Sequence, residues 1–405
     1  MANVRGGVFT LRTLSRLKKD ENWFALSDVW ISPSPFRAAP PNTGYFAGGT
    51  NPGGLPRADK VTFTSDTTVA VPGANLPSSL YLAATGSSAA GYFGGGDSPS
   101  PSKISTMNKI TYSTDSSSSV PGASLSGGRR TLAATGNSTA GYFGGGQGAP
   151  NAPALVQSRM DKITYSSETT VQVPGASLSV GRQDVAATGS STAGYFGGGR
   201  VPARSTMDKV TYSSDTTAQV PGASLSAARY GAGATGSSTA GYFGGGRNST
   251  PVFTTMDKLT YSTDTTAVVP GAALITNRLN LGAAGNATAG YFGGGEGGSP
   301  VQNRSLMEKV TYSSDTTAAV PGANLSAPRN FVAATGNSTN GYFGGGSPAS
   351  STMDKIDYAT DTILAAIPGA SLSVARYGLG ASSARANALP QPTVPSPPVP
   401  TPNIV

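Results

Sequence analysis

Gly141-Tyr142-Phe143-Gly144-Gly145-Gly146 is the stretch on which the reading of this chain turns, because the same six letters, or a close copy, occur seven times. The copies carry Tyr45, Tyr92, Tyr142, Tyr195, Tyr242, Tyr291 and Tyr342, which are 47, 50, 53, 47, 49 and 51 residues apart. A period of that length suits a unit of four short strands and is too long for most helical repeats. Repetition through residues 44–383 predicts one closed array in place of the two or three ordinary domains that 405 residues could hold.

Working outward from the third copy, four strands are expected per unit. Residues 141–146 form one, and 160–165 (Met-Asp-Lys-Ile-Thr-Tyr) form the next, with Ile163 and Tyr165 on one face and Lys162 and Thr164 on the other. After a turn over 166–169, residues 170–173 form an outer strand, stopped at Pro174-Gly175 because proline cannot donate to a ladder. Residues 182–189 (Arg-Gln-Asp-Val-Ala-Ala-Thr-Gly) then lead into the next copy, and their small tip suits an innermost strand. The fold class is therefore all-β: a seven-bladed β-propeller of four-stranded blades. Glycine in a strand costs roughly 0.5–1 kcal/mol against alanine, so three in a row imply close approach, with a neighbour's Tyr lying flat on bare backbone. Burial of the adjoining Tyr and Phe returns about 1.5–3 kcal/mol each. A phosphate cradle is rejected, since neither a helix nor GK[ST] follows the glycines.

The count of inner strands predicts how the ring closes. Six precede the second to seventh GYF strands, near Leu80, Arg129, Arg182, Arg229, Arg278 and Arg329, while residues 36–41 match poorly ahead of the first. A seventh, 376–383, follows the last blade and is expected to pair with 44–49, removing an open edge.

Composition narrows the chemistry. The chain has no Cys and no His, which excludes disulfides, thiolate or imidazole metal sites, Cys nucleophiles and His bases. Neither metal nor other cofactor is expected, and the chain is read as not an enzyme. No apolar run spans a membrane. Net charge is +8, but only 12% of residues are charged and the basic excess looks dispersed, which argues against nucleic acid as a partner. Residues 1–20 lack the apolar core of a secretory signal.

Three domains follow: 1–43 outside the repeat, the propeller 44–383, and 384–405. The first holds Leu11, Leu14 and Leu17 at amphipathic spacing and the only two tryptophans; Trp23, Phe24 and Trp30 read either as a cap over the array or as an anchor into a partner protein. The last carries seven prolines from Pro390 to Pro402 and reads as an extended spacer or a docking strand.

Two faces are expected. One bears turns nearly alike in every blade, such as 135–139 and 213–217; Asn137-Ser-Thr139 and Asn337-Ser-Thr339 are read as hairpin turns in spite of their glycosylation pattern. The other bears the loops after the glycines, 97–106, 147–159, 200–206, 247–255, 296–306 and 347–352, which differ in length and chemistry. Insertions gathered on one face point to a binding surface. The candidate contact residues are Gln147, Asn151, Arg200, Arg204, Arg247, Glu296, Gln302 and Asn303. The repeated arginines either ring the channel mouth or hydrogen-bond loop carbonyls of a neighbouring blade, and Asp161-Lys162 with its copies reads as a solvated edge.

On Arg182, Gly197-Gly198 and Tyr212 with their copies, the strand order resembles the kelch repeat, although Val171 and Ala218 stand where kelch repeats carry Trp. The GYFGGG…MDKITYS units are similar to the glycine-rich repeat arrays of virion structural proteins of marine cyanophages. That resemblance implies a non-enzymatic virion structural and interaction protein, tail-associated as a fibre, baseplate or adaptor component, present in multiple copies. It further implies contacts to other virion proteins through 1–43 and the Pro-rich tail, a possible host surface glycan as ligand, and assembly in the host cytoplasm. The alternatives are a carbohydrate-binding lectin with one site per blade and a capsid decoration protein.

Overall fold

In the computed structural model, residues 42–383 are described, apart from Pro52, Ser78, 99–102, 149–154, Pro321 and Pro368. The expectations for 1–41 and 384–405, those for Trp23, Phe24 and Trp30 among them, lie outside the described residues, as does Asn151.

Seven antiparallel four-stranded sheets form the blades. The third runs from inner strand Ala133–Gly136 through Ala140–Gly144 and Met160–Thr164 to outer strand Thr169–Gln172. Alternation sets the register: Tyr142 stands opposite Thr135 and Lys162, and Phe143 opposite Ala134 and Asp161. The ring closes as the strand count requires. Gly380–Ser383 takes the inner place in the first blade, pairing antiparallel with Thr43–Ala47, and lies beside the inner strands of the second and seventh blades.

The core lies between blades, since each GYF strand is buried along its whole length. At the third junction Tyr142, Met160 and Val173 pack against Phe196, Val210 and Tyr212 of the fourth blade. Tyr142 and Tyr212 stack with ring centroids 4.9 Å apart and planes 18° from parallel. The same stack recurs around the ring, with Phe63 taking the Tyr place against Tyr342.

The glycine run differs from expectation. The strand ends at Gly144, where a Cβ would stand 2.9 Å from Met160 and 2.9 Å from the Phe196 ring of the next blade. Gly145 and Gly146 adopt φ of +70° and +105°, a region costly for residues bearing a Cβ. Their bend lets the Gly146 N–H donate to the Arg182 carbonyl of the next blade at 2.9 Å. The close approach is thus to Phe and Met, while Tyr lies flat on another Tyr.

Candidate functional site on the loop-bearing face

A functional surface must be built from polar groups that the scaffold does not itself consume. The largest consumers are the repeated arginines. Arg182 and Asp208 are both fully buried and meet at 2.5 Å, with the guanidinium also donating to the Phe196 carbonyl at 3.0 Å. Burial pulls the Arg182 pKa down, against Asp208, which holds the charge. Asp208 in addition accepts from the Ser179 N–H and hydroxyl. Six blades carry this pair. The arginines therefore neither ring the channel nor reach a neighbouring blade's carbonyls through their side chains: each cross-links the strands of its own blade.

Lys162 is the second consumer. Its ammonium reaches Asp215, in the turn of the fourth blade, at 2.7 Å, and the Tyr142 hydroxyl donates to the same carboxylate at 2.5 Å. Burial alone would raise the Asp215 pKa, but the hydrogen bonds from Lys162 and Tyr142 and the lysine's charge outweigh it and hold the carboxyl below its ordinary value. Asp215 sits at φ +54°, the left-handed turn position that Asp tolerates. The same lysine-to-carboxylate bridge spans all seven junctions, the last from Lys355 back to Asp66. The reading of Asp161-Lys162 as a solvated edge is overturned: alternation sends Asp161 inward to Arg129 and Lys162 across to the next blade.

Between the inner strands lies a cavity of about 200 Å³, lined by Ala134, Ala187, Ala234, Thr135, Thr188, Ser382 and their equivalents, without a charged residue. The Thr135 hydroxyl is engaged by Tyr212 at 3.0 Å. In the hairpin turn that follows inner strand Ala133–Gly136, Asn137 behaves as a turn residue, its amide oxygen accepting from the N–H groups of Thr139 and Ala140. No group of His, Cys, Asp or Glu placed to hold a metal ion occurs among the described residues, and no helix among them is long and apolar enough to cross a membrane.

Antiparallel strands carry the post-glycine loops to the opposite end, where a second ring forms. Tyr81, Thr131, Asp184, Gly231, Asn280, Phe331 and Gly378 hold equivalent places and all have positive φ. Six N–H groups donate around this ring from one blade to the next, as Thr131 does to Tyr81 at 2.9 Å and Asn280 to Gly231 at 2.8 Å. Backbone geometry is shared here while side chains are not. The Tyr81 ring lies over Gly378, meets Phe331 edge-on at 5.6 Å and is 6.4 Å from Tyr377. Burial raises the Tyr81 pKa, with Tyr377 adding to the rise and Arg130 opposing it.

The sequence-predicted contact residues sit on this rim or just outside it. Gln147 pairs with Arg130 through a short ladder and accepts from its Nε at 2.8 Å, while Arg130 also reaches Asp97 at 2.6 Å. Arg200 pairs with Asp184, and the guanidiniums of Arg200 and Arg247 stand 5.2 and 5.8 Å from the Tyr230 ring. Glu296 accepts from Asn280 at 3.2 Å. Gln302 and Asn303 return antiparallel to Glu296 and Gly297, and Asn303 donates to Ser347 of the next blade. Arg204 lies outside the rim, its N–H bonded to Gly199.

Sequence reading missed Tyr81, Arg130, Asp184, Tyr230, Phe331 and Tyr377. Their signal was positional: each follows the repeated Arg place by one or two residues, a slot whose chemistry changes in every blade.

The charge balance also changes meaning. Residues 42–383 hold 21 Lys and Arg and 17 Asp and Glu. Ion pairs join fifteen of each. The six cations outside them, Arg57, Lys103, Arg159, Arg204, Arg247 and Arg304, all lie at the loop-bearing end, where Glu296 is the one carboxylate outside a pair among the described residues. Among the described residues the basic excess is therefore segregated, not dispersed.

Compared with known proteins, the chain matches no family and no curated protein.

Proposed function

We propose that the chain is a non-enzymatic structural and interaction protein whose loop-bearing face is its contact surface. One observation carries this reading: blades that agree almost residue for residue in their core and clamps diverge in chemistry at the mouth of a single face. A repeated scaffold with a changing rim is the arrangement expected of a binding surface. In our reading the protein is a tail-associated component of a phage particle, a reading supported by the resemblance of the GYFGGG…MDKITYS units to cyanophage virion arrays. Residues 1–43 and the Pro-rich tail supply its attachment. Mass spectrometry of purified, protease-treated virions tests this: the chain is expected in tail fractions, recovery in heads alone would favour the capsid-decoration alternative, and absence from particles would remove the virion assignment. Hydroxyl-radical footprinting of the assembly is expected to protect the loop-bearing rim.

The lectin alternative with one site per blade relies on the repeated Ser/Thr/Asp turns. Asp215 and its equivalents there are held by Lys and, in most blades, Tyr, which leaves them poor sugar ligands.

A further inference from the structure

The six cations outside ion pairs, set against Glu296, give the loop-bearing face a net charge of +5. On the opposite face each clamp lysine is matched by a carboxylate, and Asp357 stands outside the pairs. That face carries no positive excess. A cationic crown of this kind attracts polyanions and orients their approach. Five of the six are arginines, whose forked donors suit carboxylate, sulfate or phosphate oxygens.

Inside the crown the charges other than Glu296 are paired and the chemistry is amphipathic. Tyr81, Phe331 and Tyr377 form a half-buried aromatic shelf on one side of the mouth. The rest of the rim presents the amides and hydroxyl of Gln147, Asn280 and Thr131, which offer donors and acceptors together, beside the Arg130–Asp97 and Arg200–Asp184 ion pairs and the Glu296 carboxylate. Asn330 is 6% exposed, and its Oδ1 has no hydrogen-bond partner. Single-stranded nucleic acid wants a succession of open ring faces along a basic groove. Here Tyr81 meets Phe331 edge-on and Tyr377 at a tilt, without a succession of parallel faces, and Tyr230 is already flanked by two guanidiniums. A pyranose presents C–H groups to an aromatic shelf, hydroxyls to amides and, in an acidic polymer, spaced anions to cations spread over six blades.

We infer that the loop-bearing face binds an acidic polysaccharide, its sugar rings on the Tyr81–Phe331–Tyr377 shelf and its carboxylates or sulfates on the surrounding arginines. This rests on the reading of that face as the contact surface.

The test uses the full chain in titration calorimetry with polygalacturonate, dextran sulfate, neutral dextran and a single-stranded oligodeoxynucleotide of matched charge. At least one acidic polysaccharide is expected to bind, with affinity falling as salt rises, and neutral dextran is not. Arg57→Gln with Arg247→Gln should weaken binding about tenfold, or about 1.4 kcal/mol. Ser191→Asp with Ser338→Asp makes the same change in net charge on the hairpin-turn face and should leave affinity nearly unchanged. Circular dichroism and melting temperature establish that both variants are folded. Equal weakening by the two variants, tighter binding of the oligonucleotide, equal binding of neutral dextran, or no binding of either acidic polysaccharide would each overturn the inference. If binding is absent while footprinting of the particle still protects the rim, the contact surface stands and only its acidic-glycan ligand is lost.

Discussion

Arg182→Met removes one charge of a fully buried pair and leaves the other. Asp208 would keep two hydrogen bonds from Ser179, at 3.1 and 3.2 Å, and lose the guanidinium at 2.5 Å. Breaking a buried pair by removing one partner typically costs 3–5 kcal/mol, because the remaining charge is desolvated and unpaired. Against a total stability of about 5–15 kcal/mol, that is a large fraction. The intact pair is less valuable than this figure suggests: the Arg182 Nε and Nη1 have no hydrogen-bond partner and carry their own desolvation cost. The chain contains a control, since the second blade replaces the pair by Ser79 and Asn108, both buried and both uncharged. Arg182→Met combined with Asp208→Asn should therefore recover at least about 2 kcal/mol relative to Arg182→Met alone. Equilibrium urea unfolding measures both, with the slope on denaturant expected to stay constant. A single-variant loss under about 1 kcal/mol, or a double variant no more stable than the single, would refute the argument that charge balance within each blade is what the pair supplies.

Three further outcomes follow from the geometry. Deleting 386–405 should leave thermal unfolding nearly unchanged, whereas deleting 376–405 removes the strand paired with Thr43–Ala47 and should lower the melting temperature sharply; equal effects in calorimetry would mean that another segment closes the ring. Thirteen tyrosines have pKa values raised chiefly by burial, Tyr92 to about 12, so the folded state favours the neutral phenol. Their contribution is complete below the unfolded value near pH 10 and is lost above it at up to about 1.4 kcal/mol per pH unit per group; summed over many groups the loss becomes comparable with the whole stability within a unit or two above pH 10, so phenolate absorbance and loss of circular dichroism should rise in one step, and separate transitions would count against it. Gly144→Ala forces a Cβ to within 2.9 Å of Met160 and the Phe196 ring, and should cost about 1–3 kcal/mol by overpacking, read as a shift of the denaturation midpoint.

Strands, blade number and closure were legible in the letters because each depends on local, periodic properties. Tyr spacing counts blades, proline ends outer strands, and an unmatched inner strand at 376–383 has to pair with an unmatched partner at 44–49. The roles of charged residues were not legible, because a charge is defined by what it meets. Asp161 and Lys162 are neighbours in sequence, yet one faces Arg129 inside its blade and the other reaches Asp215 in the next. A trace of the first pairing does exist in the letters: the repeated Arg and the repeated carboxylate disappear together in the one blade that carries Ser79 and Asn108.

By itself, then, the sequence determined a seven-bladed all-β ring and the strand that closes it, since periodic burial and backbone chemistry act over a few residues. Only the tertiary structure decided which arginines are interior and which line the loop-bearing face. Neutralisation happens between strands and between blades brought together by the closed ring, so within residues 42–383 a basic excess that looks scattered in sequence becomes a crown on one side of the ring.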